Sequence, residues 1–517
     1  MTDSHPAIGI DLGTTFSAVA RLDETGRPET LANAEGDKTT PSVLFFDGED
    51  VIVGKEAVKA MGDAMPRVAD CAKRELGQRV YSKELTGRQF PPEALQAWIL
   101  HKLGQDTRDK LGPFEKVVVT VPAYFDEAKR KATQDAGYMA GFEVMDIINE
   151  PTAAAVAFGY QQGYITGKAE TSPHQKILVY DLGGGTFDVT VMDIGSREFR
   201  ALATDGDVHL GGQDWDKRLI DYVAEQFIER FDQDPREEAN SYGRLWREAE
   251  DAKRTLSVRR KATIVCEYAG QSLRVEMTRD QFEELTRDLL DRTVFTTGAT
   301  LQAAGLSWPE IDRVLLVGGS SRMPAIAEML QGLSGREPDR TVSPDEAVAH
   351  GAALHAGLLL SQHAGRPPSF EIANVNSHSL GVAATERKTG RSRTAVLIPR
   401  NTPLPVTAKR VFRTQKHDQK SILVQIVEGE NASPDACSQV GKCSIRSLPS
   451  EMEAGTPVEV RFRYLANGRL TVYVSIDGVK KRVKHEIIRE NSLTRDQLDI
   501  WREYISGLPP LVDPGTE

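Results

Sequence analysis

The stretch Ile177-Leu178-Val179-Tyr180-Asp181-Leu182-Gly183-Gly184-Gly185-Thr186-Phe187-Asp188 constrains the fold more than any other. A run of strand character ends on an acid, turns through three glycines, passes Thr-Phe-Asp and re-enters a strand from Val189 to Ile194. Glycine accepts positive φ and lets backbone N–H groups approach a ligand closely. Carboxylates on both sides of such a turn would repel a bare phosphate, so the pattern suits a hydrated Mg²⁺ lying between acid and phosphate. A glycine-rich hairpin with incidental acids would explain the same residues, but the pattern has an earlier copy. Residues Ala7-Ile8-Gly9-Ile10-Asp11-Leu12-Gly13-Thr14-Thr15-Phe16 again end a strand at Asp-Leu-Gly and carry threonines in the turn, and a strand follows through Ala20. Thr14 and Thr15 offer hydroxyl and backbone donors to phosphate oxygens. Two such hairpins, about 170 residues apart, imply two similar half-domains facing each other across a nucleotide. A repeat at domain scale is a stronger signal than either turn alone. There is no GxxxxGK[ST] run, and strand-turn-strand replaces strand-loop-helix, so this is not a Walker P-loop.

A chain of 517 residues has room for two to four domains around such a pair. Its net charge of −11 argues against a general nucleic-acid binder, and basic stretches such as Lys480-Lys481-Arg482 read as solvated faces. The four cysteines (Cys71, Cys266, Cys437 and Cys443) form no CxxC, which leaves no thiolate metal site and suits a reducing cytoplasm in which Cys437 and Cys443 stay unpaired. The N-terminus has no secretory pattern, and no segment approaches the roughly 18 apolar residues of a membrane span. The expectation is therefore a cytoplasmic protein that engages neither nucleic acid nor membrane.

Val117 to Pro122 reads as a buried strand, and Asp126 to Ala140 as a helix with Asp126 as its cap. Ile147-Ile148 leads into Asn149-Glu150-Pro151, a strand end, an acid and a proline placed to start a helix. Glu150 is well placed to orient water beside a phosphate; alternatively it merely caps the helix. The second half runs from about His174, with helices predicted at Asp216 to Phe231 and Gly243 to Leu256. The basic and acidic residues of the latter, Glu250, Lys253 and Arg254, read by spacing alone as a solvated face. Arg313 to Arg322 is a strand ending in glycines before a helix, the usual place for a ligand in an open α/β sheet. Asp345-Glu346 opens a closing helix. Composition then breaks at the polar, proline-bearing Ser361 to Ser369. Short alternating segments follow at Val406 to Phe412, Ser421 to Val427, Val458 to Tyr464 and Leu470 to Ile476, with a hairpin signal at Asn467-Gly468. These describe a β domain, and an amphipathic helix from Thr494 to Ile505 with a Pro-rich tail ends the sequence.

Together these motifs resemble the seventy-kilodalton heat-shock chaperone family. The resemblance rests on both Asp-Leu-Gly hairpins, on Asn149-Glu150-Pro151-Thr152-Ala153-Ala154-Ala155 and on Val317-Gly318-Gly319-Ser320-Ser321-Arg322. It rests also on Val121-Pro122-Ala123-Tyr124-Phe125, His209-Leu210-Gly211-Gly212 and Ala252-Lys253-Arg254-Thr255-Leu256-Ser257. It implies an α/β actin-like (ribonuclease H-like) two-lobed ATPase domain over residues 5–362, a linker over 363–376, and an all-β sandwich peptide-binding domain over 377–490. A short helix and tail at 491–517 would be a vestigial lid. On this resemblance Asp11, Asp181, Glu150 and Asp188 surround Mg²⁺, its waters and potassium ions. Gly13, Thr14, Thr15, Phe16, Gly183, Gly184, Gly185 and Thr186 hold the phosphates of ATP or ADP. Lys73 approaches the γ-phosphate and the attacking water; spacing alone would leave it an ordinary surface lysine. Glu250, Lys253, Arg254 and Ser257 line base and ribose with Gly318, Gly319, Ser320, Arg322 and Asp345. Pro122 and Arg130 relay lobe closure outward.

In the β domain, Asn374 to Val382 is similar to the family's first strand. Leu380, Val382, Phe412, Ile422 and Val424 fall where the family forms an apolar cleft for unfolded or extended peptides, although alternating residues of this kind also fill sandwich cores. Several features depart from the family. The sequence after 490 is short for a helical lid, so bound peptide is expected to leave quickly. Polar Thr385 and Gln415 stand at the arch over the peptide. The linker reads Phe370-Glu371-Ile372-Ala373-Asn374 in place of Leu-Leu-Leu-Asp. Asp146 replaces an arginine that meets J-domain co-chaperones, which sets acid against acid. The implied function is a DnaK-type ATP-dependent chaperone, with J-domain and nucleotide-exchange partners. The alternative is a regulatory ATP-sensing scaffold whose β domain docks one dedicated partner. A small-molecule kinase on the same fold is disfavoured by the appended β domain.

Overall fold

Each Asp-Leu-Gly hairpin forms the centre of one lobe's sheet. In the computed structural model, which describes residues 6–166, 174–386, 389–446, 448, 452–466, 468–476, 483–485 and 492–507, the two sheets repeat one layout. Ile8–Asp11 pairs antiparallel with Phe16–Leu22 on one side and parallel with Lys116–Val121 on the other. Gln175–Leu182 pairs antiparallel with Phe187–Gly195 and parallel with Arg313–Val317. A parallel neighbour covered on both faces needs continuous apolar residues, which Val117-Val118-Val119 and Val314-Leu315-Leu316 supply.

Two helices, Glu150–Gln161 and Ala347–His363, lie between the sheets and pack against each other. Small residues permit the close crossing: a Cβ on Gly351 would lie 1.8 Å from the Ala153 carbonyl oxygen. The apolar run Ala352 to Leu360 is therefore buried helix, in one core with Ala153, Phe158, Ile177 and Val179.

Several element bounds differ from the sequence reading. The helix after Val121 spans Glu127–Met139, with the Asp126 carboxylate accepting from the Lys129 N–H. The two helices of the second lobe are longer than their patterns suggested, at Gly212–Phe231 and Ala239–Val258. In the β domain, Asn374 to Ser379 is loop, and the first sandwich strand is Leu380–Thr385. The sandwich has one sheet in the order Ser392–Ile398, Leu380–Thr385, Ser421–Glu428, Ser438–Arg446. Its other sheet runs Val406–Arg413, Pro457–Tyr464, Leu470–Ile476, Val483–His485. Alternation turns Val458, Val460, Phe462 and Tyr464 inward. Asn467 of the hairpin signal, the Lys480-Lys481-Arg482 stretch and the Pro-rich tail lie outside the described residues.

Two segments behave differently from a free linker and a vestigial lid. Glu371–Ala373 adds to the second lobe's sheet as a parallel edge strand beside Glu198–Arg200. It is anchored by Phe370, buried edge-on against the Phe199 ring at 5.7 Å, and by half-buried Ile372. Apolar residues flanking Glu371 thus do the anchoring. The helix Arg495–Ile505, capped by Thr494, packs on the first lobe. Leu498, Trp501 and Ile505 are buried there, and the Trp501 ring meets Trp98 at 5.9 Å and Phe90 at 6.0 Å. Arg495 and Arg502 both lie over the Tyr138 ring, whose hydroxyl donates to Asp499.

Candidate nucleotide site

The lobes close around a cleft of about 1160 Å³. Its floor is the meeting of the two hairpins. A Cβ on Gly184 would fall 2.2 Å from the Thr15 hydroxyl oxygen, and one on Gly185 2.3 Å from Thr14 Cγ2, so only glycines let the turns touch. Asp11, Gly13, Thr14, Thr15 and Phe16 line the cleft from the first turn, and Asp181, Gly183, Gly184 and Thr186 from the second. The Thr186 carbonyl accepts from the Gly183 N–H, closing the turn. Gly185 lies just behind the lining, its carbonyl gripped by Arg74 Nε at 2.8 Å. Arg74 also pairs with Asp214 at 2.6 Å, so one first-lobe side chain holds the second lobe twice. Away from the cleft lining, Arg244 donates to the Gly62 carbonyl and the Met65 N–H to Asn240.

Lys73 is buried and its ammonium lies 2.6 Å from Glu150 Oε1. It is not a surface lysine: the short 3₁₀ turn Ala72–Glu75 directs it inward, preceded by Cys71 at φ 58°. Glu150 is the first residue of its helix and turns to Lys73.

The acids are crowded. Burial, and then the charge of Glu150, pushes the Asp11 carboxyl up to about 7. Asp188 is likewise pushed to about 7, and Asp181 is raised well above the usual range by burial and by Glu150, Asp188 and Asp11. Thr120 donates to Asp11 Oδ1 at 3.0 Å and the Tyr124 N–H to Asp188 Oδ1 at 2.8 Å. Asp188 therefore stands behind the cleft wall, held from the first lobe.

Further out, Glu250, Lys253, Arg254, Ser257, Gly318, Gly319, Ser320, Arg322 and Asp345 line the opposite end. Lys253 is not on a solvated face: it donates to Asp216 at 2.7 Å and to the Gly212 carbonyl. Arg254 pairs with Glu250 and lies 5.1 Å from the Phe16 ring centre. Arg322 pairs with Asp345. Burial raises Asp216 to about 6 although Lys253 opposes the shift.

The family model described as Hsp70 protein matches residues 7–503. The chain belongs to the Hsp70 family. Among its relatives, the chaperone protein DnaK of Halobacterium salinarum strains R1 and NRC-1 is 38% identical over 508 residues, covering 97% of this chain and 78% of the relative. Hsp70 membership makes the two lobes an actin-like ATPase and the last domain a β sandwich, in an ATP-binding chaperone.

The Hsp70 acid cluster fits a hydrated Mg²⁺. Four carboxylates share one buried ammonium, and three of them are pushed toward protonation, which is unbalanced negative charge. Among the described residues no three His, Cys, Asp or Glu side chains are close enough to hold a bare ion together. Mg²⁺ that keeps its waters and takes its remaining contacts from phosphate needs no such set.

The peptide-site residues are placed differently. Leu380, Val382, Ile422 and Val424 are buried in the sandwich core with Ile426, Val458 and Phe462, and Phe412 is half-buried against them. Thr385 and Gln415 are exposed. Arg130 is buried and donates to the Ala123 and Phe125 carbonyls; Pro122 opens the same loop. Asp146 turns to His355, with 2.9 Å between Oδ2 and Nε2, so its charge has a partner inside the chain. All four cysteines are free, and no described helix is long and apolar enough to cross a membrane. Asp216, Thr120 and Arg74, and Gln213, which also lines the cleft, had no site role in the sequence reading. Only Asp216 had a usable signal, its one-turn offset from Gly212 in the His209-to-Gly212 motif.

Proposed function

We propose that the chain is an ATP-dependent chaperone of DnaK type, in which ATP hydrolysis at the cleft changes the affinity of the sandwich for extended peptides. The observation carrying this reading is the contact of sandwich and linker with elements that also build the cleft. Thr152, two residues along the helix from Glu150, donates to Asn374 of the linker at 3.0 Å. The Glu127 N–H, next to the loop holding Asp188, donates to Glu428 of the sandwich at 2.9 Å. Arg400 pairs with Asp205 at 2.9 Å, and Asn401 accepts from the Thr204 N–H.

In this reading Lys73 and Glu150 orient the attacking water. The Thr14, Thr15, Gly183 and Gly184 turns supply donors to the phosphates, and the raised acids take the Mg²⁺ side. Mg²⁺, when bound, neutralises the phosphate charge as it shifts to the leaving oxygen. Potassium ions beside Asp11 and Asp188, a cytoplasmic location, and nucleotide-exchange and J-domain partners belong to the same proposal. The Asp146–His355 pair argues for a J-domain contact that does not depend on an arginine there.

A fork in one sandwich sheet supports peptide capture. Leu380–Thr385 and Ser421–Glu428 pair only at Leu380↔Glu428, Gly381↔Val427 and Val382↔Ile426, then diverge. An extended peptide entering the fork gains backbone partners, the usual source of affinity in strand addition. A second reading, the ATP-sensing scaffold with one folded partner, is favoured by the polar Thr385 and Gln415 and by the buried apolar residues.

The test is binding of a labelled unfolded peptide with ADP and with ATP, alongside ATPase rates with and without peptide. Nucleotide-dependent affinity and peptide-stimulated hydrolysis are expected. No change in either, with one or two folded partners trapped instead, would favour the scaffold.

A further inference from the structure

The sandwich carries the opposite charge to the rest of the chain. Residues 377–490 hold 20 lysines and arginines against 11 aspartates and glutamates, in a chain whose totals are 64 and 75. The placement is as uneven as the count. At the closed end of the fork, where Leu380–Thr385 still pairs with Ser421–Glu428, stand two acids that are already bonded. Glu428 accepts from the Glu127 N–H, and Glu430 accepts from the N–H and the hydroxyl of Ser379, both at 2.8 Å. The open end is basic. There Leu380–Thr385 runs into loop 386–391, and Ser421–Glu428 emerges from loop 414–420. These two loops carry five lysines and arginines against Glu386 and Asp418. Glu386 turns back to Arg393 and to the Thr389 hydroxyl. Arg391, Arg393, Lys416 and Lys420 are exposed, and Arg393 stands opposite Ala384 on the wall of the fork. Leu423, on the stretch that has parted from Leu380–Thr385, is 60% exposed. Lys442 shares its face of the sheet, two positions from Ser444, the register partner of Leu423.

We propose that the fork selects extended polypeptide segments in which apolar residues are flanked by aspartate or glutamate. The proposal rests on reading the sandwich as a peptide-binding domain, and it gives that reading a class of client. Three features of the open end each ask for one property of the ligand. Strand edges that have parted take an extended backbone. An exposed leucine takes an apolar side chain. Cations on both flanking loops take carboxylates and turn lysine-rich segments away. Single-stranded nucleic acid would satisfy the cations alone: it has no peptide N–H and C=O groups to continue a ladder and no aliphatic side chain for Leu423. The charge selection acts between exposed groups, so it is modest in size and sensitive to salt.

The test uses the full chain with ADP and three labelled peptides, read by fluorescence anisotropy. The peptides share one leucine-rich core, flanked by aspartates, by serines or by lysines. Exposed ion pairs are weak singly, and two or three acting together correspond to about fivefold to thirtyfold. The aspartate peptide should bind tighter than the serine peptide by about that factor, and the lysine peptide weakest of the three. The spread should shrink at about 1 M salt, where the screening length is about 3 Å. Charge reversal at two exposed loop positions, Lys416→Glu together with Lys420→Glu, should bring the lysine peptide level with the aspartate peptide or above it, an exchange that loss of structure cannot produce. Equal affinity of the parent for all three peptides, or a preference for lysine, overturns the proposal and leaves peptide binding in place. So does a uniform fall for all three in the double variant, which would make the two lysines structural. Labelled oligothymidylate binding more tightly than the aspartate peptide would assign the basic end to nucleic acid and overturns it too. If none of the three peptides binds, the peptide-binding reading itself fails and takes the proposal with it.

Discussion

The cleft and the sandwich core are both buried, and they solve burial in opposite ways. The sandwich encloses Val458, Val460, Phe462, Val472 and Val474, apolar side chains that need no partner. The cleft and the wall behind it bury Asp11, Asp181 and Asp188, whose ionised forms burial disfavours. Fully burying a large apolar side chain stabilises by roughly 1.5–3 kcal/mol, whereas a buried carboxylate costs free energy until a counter-ion arrives. The cleft is kept in a condition that a ligand relieves, and the core in one that nothing improves. Damage to the first should appear in chemistry and damage to the second in stability.

The sharpest break between them is Lys73→Ala. Removing the buried cation should slow single-turnover ATP hydrolysis about 100- to 1000-fold while ADP binding survives; near-normal turnover would refute the role assigned to it. Phe462→Ala is the opposite case, expected to destabilise the sandwich by about 3–5 kcal/mol in denaturant melts and to leave ADP affinity unchanged. A smaller effect separates the two again. Asp11→Asn should raise the unfolding midpoint of the nucleotide-free protein at pH 8 by about 2 °C, because it deletes a carboxylate that burial disfavours, and should abolish Mg²⁺-dependent tightening of ADP. A lowered midpoint would show that Asp11 is satisfied as it stands. The smallest effect is the pH slope. Asp11 and Asp188 hold their protons to about 7 in the fold, against 3.8 for the ordinary group. Between those values the folded state binds more protons than the unfolded one, so their contribution to stability is complete below about pH 4 and lost as pH rises through about 7. Saturating Mg²⁺ with ADP favours the ionised forms and should flatten this slope in thermal melts; an unchanged slope would separate these acids from the metal.

The same contrast governs what could be read from the chain. The hairpins were legible because a phosphate turn needs glycine, threonine and acid at fixed offsets, and those offsets are local. The strands Val406–Arg413, Ser421–Glu428, Pro457–Tyr464 and Leu470–Ile476 were legible to within a residue because alternation is local too, whereas Leu380–Thr385 starts six residues after its motif and Ser392–Ile398, Ser438–Arg446 and Val483–His485 carried no expectation. Lys73 was legible only through family likeness, since nothing near it reveals that a 3₁₀ turn sends it inward to Glu150, 77 positions later. Asp216, Thr120 and Arg74 act through partners far along the chain and leave no periodic trace. The peptide-site residues carry the same alternation whether they face a cleft or a core, so pattern alone could not assign them. The linker's docking depended on Phe370 finding Phe199, and the last helix on Trp501 finding Trp98, 403 positions earlier.

The docking of that last helix has a mechanical consequence. After His363 the polypeptide is fastened to the second lobe by Phe370 and Glu371–Ala373, and beyond the sandwich it is fastened to the first lobe by the helix Arg495–Ile505. The sandwich is therefore fastened at both ends, at one end to each lobe, like a handle on a hinged case. A domain held by a single tether explores a sphere, but one held by two is confined to a narrow swing, and its effective concentration at its seat stays high even when every hydrogen bond at that seat has opened. Re-docking then becomes a short, nearly one-dimensional return.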